Sequence, residues 1–432
     1  MEISSGALKK ERENCCVAAT NGILGLNSIG PNVLFLFGSG ISIPAGFPSL
    51  EQLSARILGS EDLYFDVNKN FQIQPEKSRD SDLVGDLSVP VRMLALLGQI
   101  KAEVDAYNQS RLSNYEEWYY LAHQLYSTLS EDYDNPALFE FINRLRVRFA
   151  GPPSFYAHVE TPENRIRTTA ALVMQYIHFM VERELTVPNF NTEYLAWIDD
   201  AIADPSLKIK GLFTLNHDLL LEAHFACRDF VDYTIGFDTP NESPPGVHWD
   251  RDAVIDATTE KLFLGKLHGS IDWFDYEDRN NLRPNEQGRR VAYVRAYGET
   301  DPTISGEKPL LLIGKHNKLF DYTNFVFEDL HYRFYKALRE SSDLIVCGYG
   351  FGDRGINTRI KNWRQSNPNN RLFIINGDIS PLTVTRNIVK YASMQDWETD
   401  FSVFHIQEWA ETVTWNKIKS AIDNKRKRHT KI

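Results

Sequence analysis

The sequence of 432 residues has little cysteine and no long run of apolar residues. Its four cysteines, Cys15, Cys16, Cys227 and Cys347, include no Cys-x-x-Cys pair, which argues against a disulfide framework and a four-cysteine zinc site. No apolar stretch approaches the ~20 residues that a membrane-spanning helix needs, and the polar segment 1–13 is unlike a signal peptide. These absences predict a protein of the reducing cytoplasm that needs no metal.

Positive charge is also scarce, since the formal net charge is −11. This balance argues against general nucleic-acid binding by the whole chain. The exception is the basic tail 425–432, which is either a solvated terminus or a contact for nucleic acid or an acidic partner. The chain also lacks a helicase motif and a Gly-x-x-x-x-Gly-Lys-Ser/Thr phosphate loop, so it contains no evident sensor domain.

What the sequence does contain is a glycine-rich turn between an apolar segment and a helix start. The segment 33–37, Val-Leu-Phe-Leu-Phe, predicts a buried strand. Gly38-Ser39-Gly40-Ile41-Ser42-Ile43-Pro44-Ala45-Gly46 follows, and a helix is predicted from Ser49 onward. Glycine lets backbone approach a phosphate closely, and free N–H groups of such a turn bind anions. The turn is therefore a candidate phosphate site.

Three later segments repeat this design, with polar or glycine residues just after a short apolar strand. They are 211–215 followed by Asn216-His217-Asp218, 262–267 followed by His268-Gly269-Ser270, and 343–347 followed by Gly348-Tyr349-Gly350-Phe351-Gly352-Asp353. The carboxyl edge of an open parallel sheet is where ligands bind. We therefore expect the four segments to form one site.

Together these motifs resemble the sirtuin superfamily, whose pattern is Gly-Ala-Gly-Ile-Ser-x-x-Ala-Gly-Ile-Pro, then Asn-x-Asp, then His-Gly, then a Gly-Thr-Ser-type turn. The first motif matches with Ser39 and Phe47 as exceptions, Asn216 and Asp218 match the second, and His268 begins the third. The fourth is only analogous. The resemblance covers roughly residues 30–58 and 206–410. The residues in and around the later motifs resemble more specifically those of the bacterial sirtuin-like NAD hydrolases of anti-phage defence.

Two departures from the sirtuin deacylase pattern affect the predicted function. Ser49-Leu50-Glu51 stands where they carry Asp-Phe-Arg, and the four-cysteine zinc module is absent. Part of the support for a peptide cleft is lost with that module. Cleavage of the NAD⁺ glycosidic bond needs only the NAD⁺ pocket and water, so it is favoured over protein deacylation.

The resemblance implies a role for each matched residue. The loop from Gly38 to Gly46 would hold the pyrophosphate, with Ser42 hydrogen-bonded to it, and Gly348–Gly350 would support the adenosine end. Asn216 would place the attacking water, Asp218 would accept from the nicotinamide carboxamide, and His268 would accept a proton. The full set of candidates is catalytic Asn216, His268 and Asp218, and cofactor-binding Gly38, Ser39, Gly40, Ser42, Ala45, Gly46, Gly348, Tyr349, Gly350, Asp353 and Asn376. No metal and no cofactor beyond NAD⁺ as substrate is expected.

Several candidates also have a purely structural explanation. His268 caps a strand end in that alternative, and Asn216 is a turn former, because asparagine tolerates unusual backbone angles. Asp353 and Asn376 are open between helix capping and ribose binding. His217 and His224 are predicted to point into the structure.

The predicted architecture is a doubly wound, Rossmann-like α/β sheet of sirtuin type that is interrupted by a helical insertion. A leading helix is predicted at 9–27, and helical spacing of apolar residues recurs between residues ~60 and 205. Strands are predicted at 310–313, 344–347, 372–375 and 401–406, helices at 322–342 and 380–391, and a lid-like surface loop at 275–301. The predicted domains are 1–60 and 206–424 for the NAD-binding unit, 61–205 for the insertion, and 425–432 for the tail.

The function predicted from these features is an NAD⁺ glycohydrolase that yields nicotinamide and ADP-ribose, or a cyclised product if water is excluded. By resemblance it depletes NAD⁺ in antiviral defence by abortive infection, as a cytoplasmic homo-oligomer paired with a HerA-type ATPase or an Argonaute-like partner. The alternatives are an NAD-dependent deacylase or ADP-ribosyltransferase, and a non-enzymatic NAD or ADP-ribose sensor. A sensor would need neither Asn216 nor His268.

Overall fold

A computed structural model of the chain describes residues 30–60, 63–66, 70–73, 88–108, 111–132, 135–149, 161–187, 189–228, 231–242, 245–256, 261–278, 289–294, 308–315, 318–378 and 402–429. The predicted helices at 9–27 and 380–391 lie outside these residues. The last described helix runs from Trp415 to His429, so the backbone of the predicted basic tail begins inside a helix.

The described chain is organised around a seven-stranded sheet in which every neighbouring pair of strands is parallel. Across the sheet the order is β13-β12-β11-β1-β4-β8-β5. Its strands are β1 (Asn32–Phe37), β4 (Lys208–Thr214), β5 (Tyr233–Thr234), β8 (Leu262–Lys266), β11 (Asp343–Cys347), β12 (Arg371–Ile375) and β13 (Val403–Ile406). The predicted strands at 344–347, 372–375 and 401–406 correspond to β11, β12 and β13.

Both faces of this sheet are buried, because side chains alternate between two hydrophobic cores. In β1, Leu34 and Leu36 enter one core, whereas Phe35 and Phe37 enter the other. The first core is closed by α10 (Val326–Glu340) and α11 (Arg354–Ser366), and the second by α6 (Ala196–Ile202), α7 (Leu220–Ala226) and α12 (Trp415–His429). Burial on both faces explains the continuous apolar runs of these strands.

The strand order reverses at β1, which lies between β4 and β11. From β1 the chain builds β4 and β8 on one side, then crosses to β11, β12 and β13 on the other. A crevice opens outside the carboxyl ends of the strands at such a switch point. This is the doubly wound α/β architecture that the sequence predicts.

A helical unit with its own core interrupts the sheet between β1 and β4. Its helices are α2 (Ser88–Asn108), α3 (Tyr115–Leu129), α4 (Phe139–Phe149) and α5 (Pro162–Leu185), next to a small hairpin of β2 (Leu63–Phe65) and β3 (Phe71–Ile73). α1 (Leu50–Leu58), which begins with a Ser49–Gln52 capping box, packs into the same core. α6 packs against the sheet instead, while the boundary at residue 205 stays a prediction.

The segment predicted as a lid-like loop is in part a sheet. β9 (Trp273–Asp278) pairs antiparallel with β10 (Arg289–Val294), which pairs with β7 (Pro245–Trp249), and β7 pairs with β6 (Phe237–Glu242). α8 (Arg251–Asp256) follows β7. The expectation of a loop was wrong over the described residues, because buried Trp273 and Tyr293 anchor the two strands despite their polar neighbours. The remainder of 275–301 lies outside the described residues.

Two further elements differ from their prediction. Residues 310–313 form one isolated antiparallel bridge, between Leu311 and Gly269, rather than a strand. Their side chains still alternate as in a strand, with Leu310 and Leu312 in the first sheet core and Leu311 and Ile313 in the insertion core. The predicted helix 322–342 begins only at Val326 in α10, after the short α9 (Lys318–Asp321). Phe325, with φ 55° and ψ −132°, cannot continue a helix.

Among the described residues, no helix is both long enough and apolar enough to cross a bilayer.

Candidate active site

The carboxyl ends of β1, β4, β8 and β11 open into one cavity of about 290 Å³. The residues after these four strands, including Ser39, Asn216, His268 and Gly350, line it. Because the strands are parallel neighbours, sequence segments more than 300 residues apart meet at one edge of the sheet. The structure therefore brings the four predicted segments together.

The first turn is held together by its own backbone hydrogen bonds. Gly38 N–H donates to Cys347 C=O at 3.0 Å, Gly40 N–H to Gly348 C=O at 2.8 Å, and Ser42 N–H to Ser39 C=O at 3.0 Å. The expectation that these N–H groups are free donors was wrong, because Gly38 and Gly40 donate to the end of β11 and Ser42 donates within the first of two 3-10 turns, Ser39–Ile41 and Ile43–Ala45. Its glycines serve mainly to bring two loops together.

That close approach can be measured at three positions. A Cβ added to Gly38 would lie 2.6 Å from the Cα of Tyr349, and one added to Gly40 would lie 2.8 Å from the Cα of Gly348. Gly348 itself has φ +68° and would place a Cβ 2.4 Å from the Ile41 nitrogen. Only glycine fits at these points. In contrast, a Cβ on Gly350 would have no heavy atom within 4 Å.

Asn216 bridges the β4 end to the first turn. Its Nδ2 donates to Gly38 C=O at 3.1 Å and to Ser42 Oγ at 3.0 Å, and its own N–H is held by Thr214 Oγ1. The residue is buried and lines the cavity. With both Nδ2 hydrogens engaged, Oδ1 is the part of this amide that can accept a hydrogen bond from a ligand or a water.

Asp218 lies over a buried lysine. Lys266 Nζ, with no exposed surface, contacts the backbone carbonyl of Asp218 and pairs with Glu222 Oε1 at 2.5 Å. Burial raises the pKa of the Asp218, Glu222 and Asp272 carboxyls, and the charge of Lys266 opposes that shift in each case. The ammonium group of Lys266 is thus a cation shared by three carboxyl groups.

His268 faces the cavity with Asp353 behind it. Its Nε2 lies 3.0 Å from Asp353 Oδ2, close enough for an ion pair although the direction is not that of a well-aligned hydrogen bond. Burial, together with the charge of Lys318, lowers the pKa of His268. Burial alone would raise the pKa of Asp353, but contact with His268 and the charge of Lys318 hold it far below its usual range. A neutral imidazole thus faces an ionised carboxylate near pH 7.

The Asp353 carboxylate is fixed by several partners. Its Oδ1 caps α11 by accepting from the N–H groups of Gly355 at 2.8 Å and Ile356 at 3.0 Å, and its Oδ2 accepts from the Tyr322 hydroxyl. The Tyr322 ring stacks on His268 with centroids 6.2 Å apart. The capping alternative for Asp353 therefore describes its geometry, and the same carboxylate lies beside His268 Nε2.

A second wall of the cavity comes from the helical insertion. Glu116, in the first turn of α3, pairs with Lys318 of α9 at 2.8 Å, and Glu117 pairs with Lys315 at 2.7 Å. Tyr115 and Leu185 complete this side. The cavity therefore lies between the sheet edge and the insertion.

The structure separates the predicted site residues into two groups. On the cavity wall lie Gly38, Ser39, Ser42, Asn216, Asp218, His268, Tyr349, Gly350 and Asp353. Outside the lining lie Gly40, Ala45, Gly46, Gly348 and Asn376. Asn376 follows β12, farther from the switch point, and its Oδ1 accepts from the Asp378 N–H at 3.1 Å.

The two structurally assigned histidines differ from each other. His224 is buried and pairs with Asp199 at 2.8 Å, as predicted for a residue that points into the structure. His217 is also buried, but it lines the cavity with its ring centroid 6.2 Å from that of His268. The expectation for His217 was wrong to that extent, because the bend after β4 turns this residue toward the site.

Sequence reasoning missed Lys266, Lys318, Glu116 and Tyr322. A signal existed for Lys266, which is a charged residue inside the apolar strand 262–267 and therefore needs a buried partner. No such signal marks the other three, because their partners lie far away in sequence.

No group of three or more His, Cys, Asp or Glu side chains is arranged to hold a metal ion within the described ranges. Of the cysteines there, Cys227 is exposed and Cys347 is buried, and both are free thiols.

Residues 210–392 match the family model of the SIR2-like domain, which is somewhat under half of the chain. No curated protein matches the sequence. Together with the sheet order, the family match supports a sirtuin-superfamily fold. The chain is thus a doubly wound α/β protein of which residues 210–392 match a SIR2-like domain.

Sirtuins are among the solved structures that match this chain. A Sir2 homologue mutant in complex with ADP-ribose has 12% identity and a TM-score of 0.37, with 92% of this chain and 94% of that chain covered. A Sir2 homologue complex with NAD has 11% identity and a TM-score of 0.34, with 92% of each chain covered. Sir2Tm bound to a propionylated peptide has 11% identity and a TM-score of 0.32, with 91% and 93% covered. Scores this low add nothing to the family match.

Proposed function

We propose that the protein uses NAD⁺ as its substrate and hydrolyses the bond between nicotinamide and ribose. The observation that carries this proposal is the convergence of Asn216, Asp218 and His268 on one cavity at the sheet's switch point, beside Ser39 and Ser42. The match to the SIR2-like domain supports the choice of NAD⁺. Polar side chains that are themselves buried, as Asn216, Asp218 and His268 are, favour charge development at a bound ligand.

The proposed chemistry gives each side chain the role that the resemblance to sirtuins implies. The C1′–N bond breaks and its electron pair leaves with nicotinamide, while a water oxygen bonds to C1′ of the ribose. Asn216 Oδ1 accepts a hydrogen bond from that water, and Asp218 receives the carboxamide of the leaving nicotinamide. The water proton passes to His268 and then to solvent. The products are nicotinamide, ADP-ribose and one proton.

Two features suit His268 to this role. Its lowered pKa keeps the imidazole neutral and able to accept a proton at pH 7. The ionised carboxylate of Asp353 near Nε2 favours the tautomer protonated there and stabilises the imidazolium once it forms. Asp353 is therefore a positioning residue for His268.

The direct test is to incubate the purified chain, alone and with candidate partners such as a HerA-type ATPase, with NAD⁺ in H₂¹⁸O and to identify products by mass. Hydrolysis gives nicotinamide and ADP-ribose carrying one ¹⁸O. Adding an acyl-lysine peptide separates the alternatives, because a deacylase yields acylated ADP-ribose and a transferase modifies protein. A chain that binds ADP-ribose but releases no nicotinamide under any of these conditions is a sensor, and the proposal is then wrong.

Assembly and biological role are further parts of this proposal, supported by resemblance alone. We infer a homo-oligomer that depletes NAD⁺ in anti-phage defence and is held inactive until a partner, foremost a HerA-type ATPase, favours its active state. A partner must bind that state more tightly to shift the population. Light scattering and NAD⁺ turnover across protein concentration test this, and full activity in a monomer without partner contradicts it.

A further inference from the structure

The ion pair between Glu116 and Lys318 connects two parts of the molecule that are distant in sequence. Glu116 belongs to the first turn of α3 in the helical insertion, and Lys318 begins α9 on the sheet unit. Their side chains are only 24% and 6% exposed, and both line the cavity that contains His268. Removing one partner of an ion pair this buried leaves the other charge unpaired and lowers the stability of the folded protein.

A short path of contacts leads from this pair to His268. The Lys318 carbonyl accepts a hydrogen bond from the Tyr322 N–H at 2.9 Å, so α9 fixes the position of the Tyr322 backbone. The Tyr322 ring stacks on the imidazole, and its hydroxyl donates to Asp353. Tyr322 is buried, so a shift of α9 moves the hydroxyl that holds Asp353, the carboxylate beside His268.

The two charges also act on His268 in opposite directions. Lys318 lowers the pKa of His268, whereas Glu116 raises it. Burial is the larger cause of the net lowering. The titratable groups that face His268 from the surrounding elements are Asp353, Lys318, Glu116, His217, His331 and Tyr322. Of these, Glu116 is the group that comes from the insertion.

We propose that Glu116 and Lys318 form a positioning pair through which the helical insertion controls how His268 is held at the cavity. The pair acts through α9, Tyr322 and Asp353. This proposal rests on the proposed function for its effect on turnover, but not for its effect on His268 itself. It also gives a partner bound to the insertion a physical route to the reaction site.

The test compares Lys318→Met, Glu116→Gln and the charge-retaining Lys318→Arg in the full chain. The first readout is the titration of His268 by NMR of ¹³C-histidine-labelled protein, assigned with His268→Gln. We expect the His268 pKa to rise in Lys318→Met, to fall in Glu116→Gln because Lys318 is then uncompensated, and to stay near the parent value in Lys318→Arg. General loss of structure would not move the titration in opposite directions.

The second readout is the pH profile of kcat/KM for NAD⁺. We expect Lys318→Met to lose on the order of 10–100-fold in kcat, as misplaced catalytic groups do, with the acid limb moved to higher pH. Glu116→Gln should move that limb to lower pH. The matched control is Glu103→Gln, which breaks an exposed ion pair with Arg144 between α2 and α4 of the same insertion. This control should match the parent in both readouts.

The possible outcomes separate the two proposals. If the parent chain releases no nicotinamide while His268 titrates as expected in the variants, the proposed function fails and the positioning pair stands. If His268 titrates identically in the parent and in folded Glu116→Gln and Lys318→Arg, and Lys318→Met either fails to fold or titrates likewise, the positioning pair is wrong. Shifts of the same sign in Glu116→Gln and Lys318→Met also contradict it.

Discussion

The sheet edge and the helical insertion contribute to the same cavity in different ways. At the sheet edge, residues follow their strands directly, so Asn216 and His268 arrive at the site through the parallel topology itself. The insertion supplies Tyr115, Glu116 and Leu185 from two helices whose apolar spacing reflects only their own core. The sequence motifs therefore indicate the residues at the sheet edge, whereas the contribution of the insertion depends on how it packs against the sheet.

The insertion also carries exposed apolar side chains, whereas at the sheet edge the backbone of the first turn packs closely against that of the β11 turn. The exposed group on α2, α4 and the loop before α3 consists of Val91, Tyr107, Leu112, Phe139 and Val147. Single exposed apolar residues are ordinary on a protein surface. The two regions nevertheless differ in how they are packed, and substitutions in each region test what that difference means for activity and stability.

The largest effect is expected at the sheet edge from Asn216→Ala and His268→Ala. Removing the water-placing amide or the proton acceptor should lower NAD⁺ turnover on the order of 10²–10⁴-fold. The measurement is nicotinamide release at saturating NAD⁺, with thermal unfolding to verify the fold. His224→Ala is the control for turnover, since that histidine lies on α7 outside the cavity lining and pairs with Asp199. Parent-level turnover in both folded site variants would contradict the assignment.

Lys266→Met tests whether the sheet edge depends on its buried charge cluster. Removing the ammonium leaves Asp218, Glu222 and Asp272 without their shared cation, and breaking a buried pair costs about 3–5 kcal/mol of unfolding free energy. Urea unfolding measures this loss. The penalty should shrink as the pH falls, because these carboxyls have raised pKa values and become neutral first.

The control for that change lies just before the same strand. Lys261 pairs with Asp232 at 3.6 Å, and both side chains are exposed. Lys261→Met should therefore alter the unfolding free energy by about 0–1 kcal/mol. Equal losses in the two methionine variants would mean that the buried cluster has no special importance.

Gly40→Ala tests the close contact between the first turn and the β11 turn. The new Cβ would meet the Gly348 backbone at 2.8 Å, which cannot move aside as a side chain does. Forced overpacking of this kind costs about 1–3 kcal/mol of unfolding free energy. Gly350→Ala is the matched control, because its Cβ enters open space and its unfolding free energy should change by less than about 0.5 kcal/mol.

A smaller, pH-dependent effect is expected inside the insertion at His178. Burial, with a contribution from the charge of Lys308, lowers the pKa of His178 to about 3. The unfolded chain protonates this histidine below about pH 6.5, while the folded protein does not until about pH 3. Its presence therefore costs stability progressively as the pH falls between those values, by at most about 1.4 kcal/mol per pH unit.

His178→Gln should remove that dependence. Urea unfolding of parent and variant at pH 7, 6 and 5 measures it, and the advantage of the variant should grow at each step downward. A constant difference across this range would show that His178 does not titrate as its burial requires.

The smallest effect is expected from chelation. The sequence has no four-cysteine zinc module, and neither region has a group of metal ligands among its described residues. We expect EDTA to leave both turnover and the unfolding temperature unchanged. Stoichiometric zinc that is lost together with activity would overturn this prediction.

Much of the site could be predicted from sequence because each motif follows a recognisable apolar strand. Details of the first turn could not, since its N–H groups are consumed by contacts such as Gly40 with Gly348, which are remote in sequence. Asn376 follows a strand in the same way, yet β12 lies too far from the switch point for that residue to line the cavity. Position after a strand is thus not sufficient to place a residue at the cavity.

By itself, the sequence determined the parallel sheet, the helical character of the insertion and the set of residues at the strand ends. These follow from local apolar periodicity and from the geometry that places all carboxyl ends of parallel strands on one edge. Only the tertiary structure decided which side chains face the cavity, that Asp353 and Tyr322 support His268, and that Glu116 reaches Lys318 from the insertion. Those contacts depend on how separate hydrophobic surfaces pack against one another, and no local pattern encodes that packing.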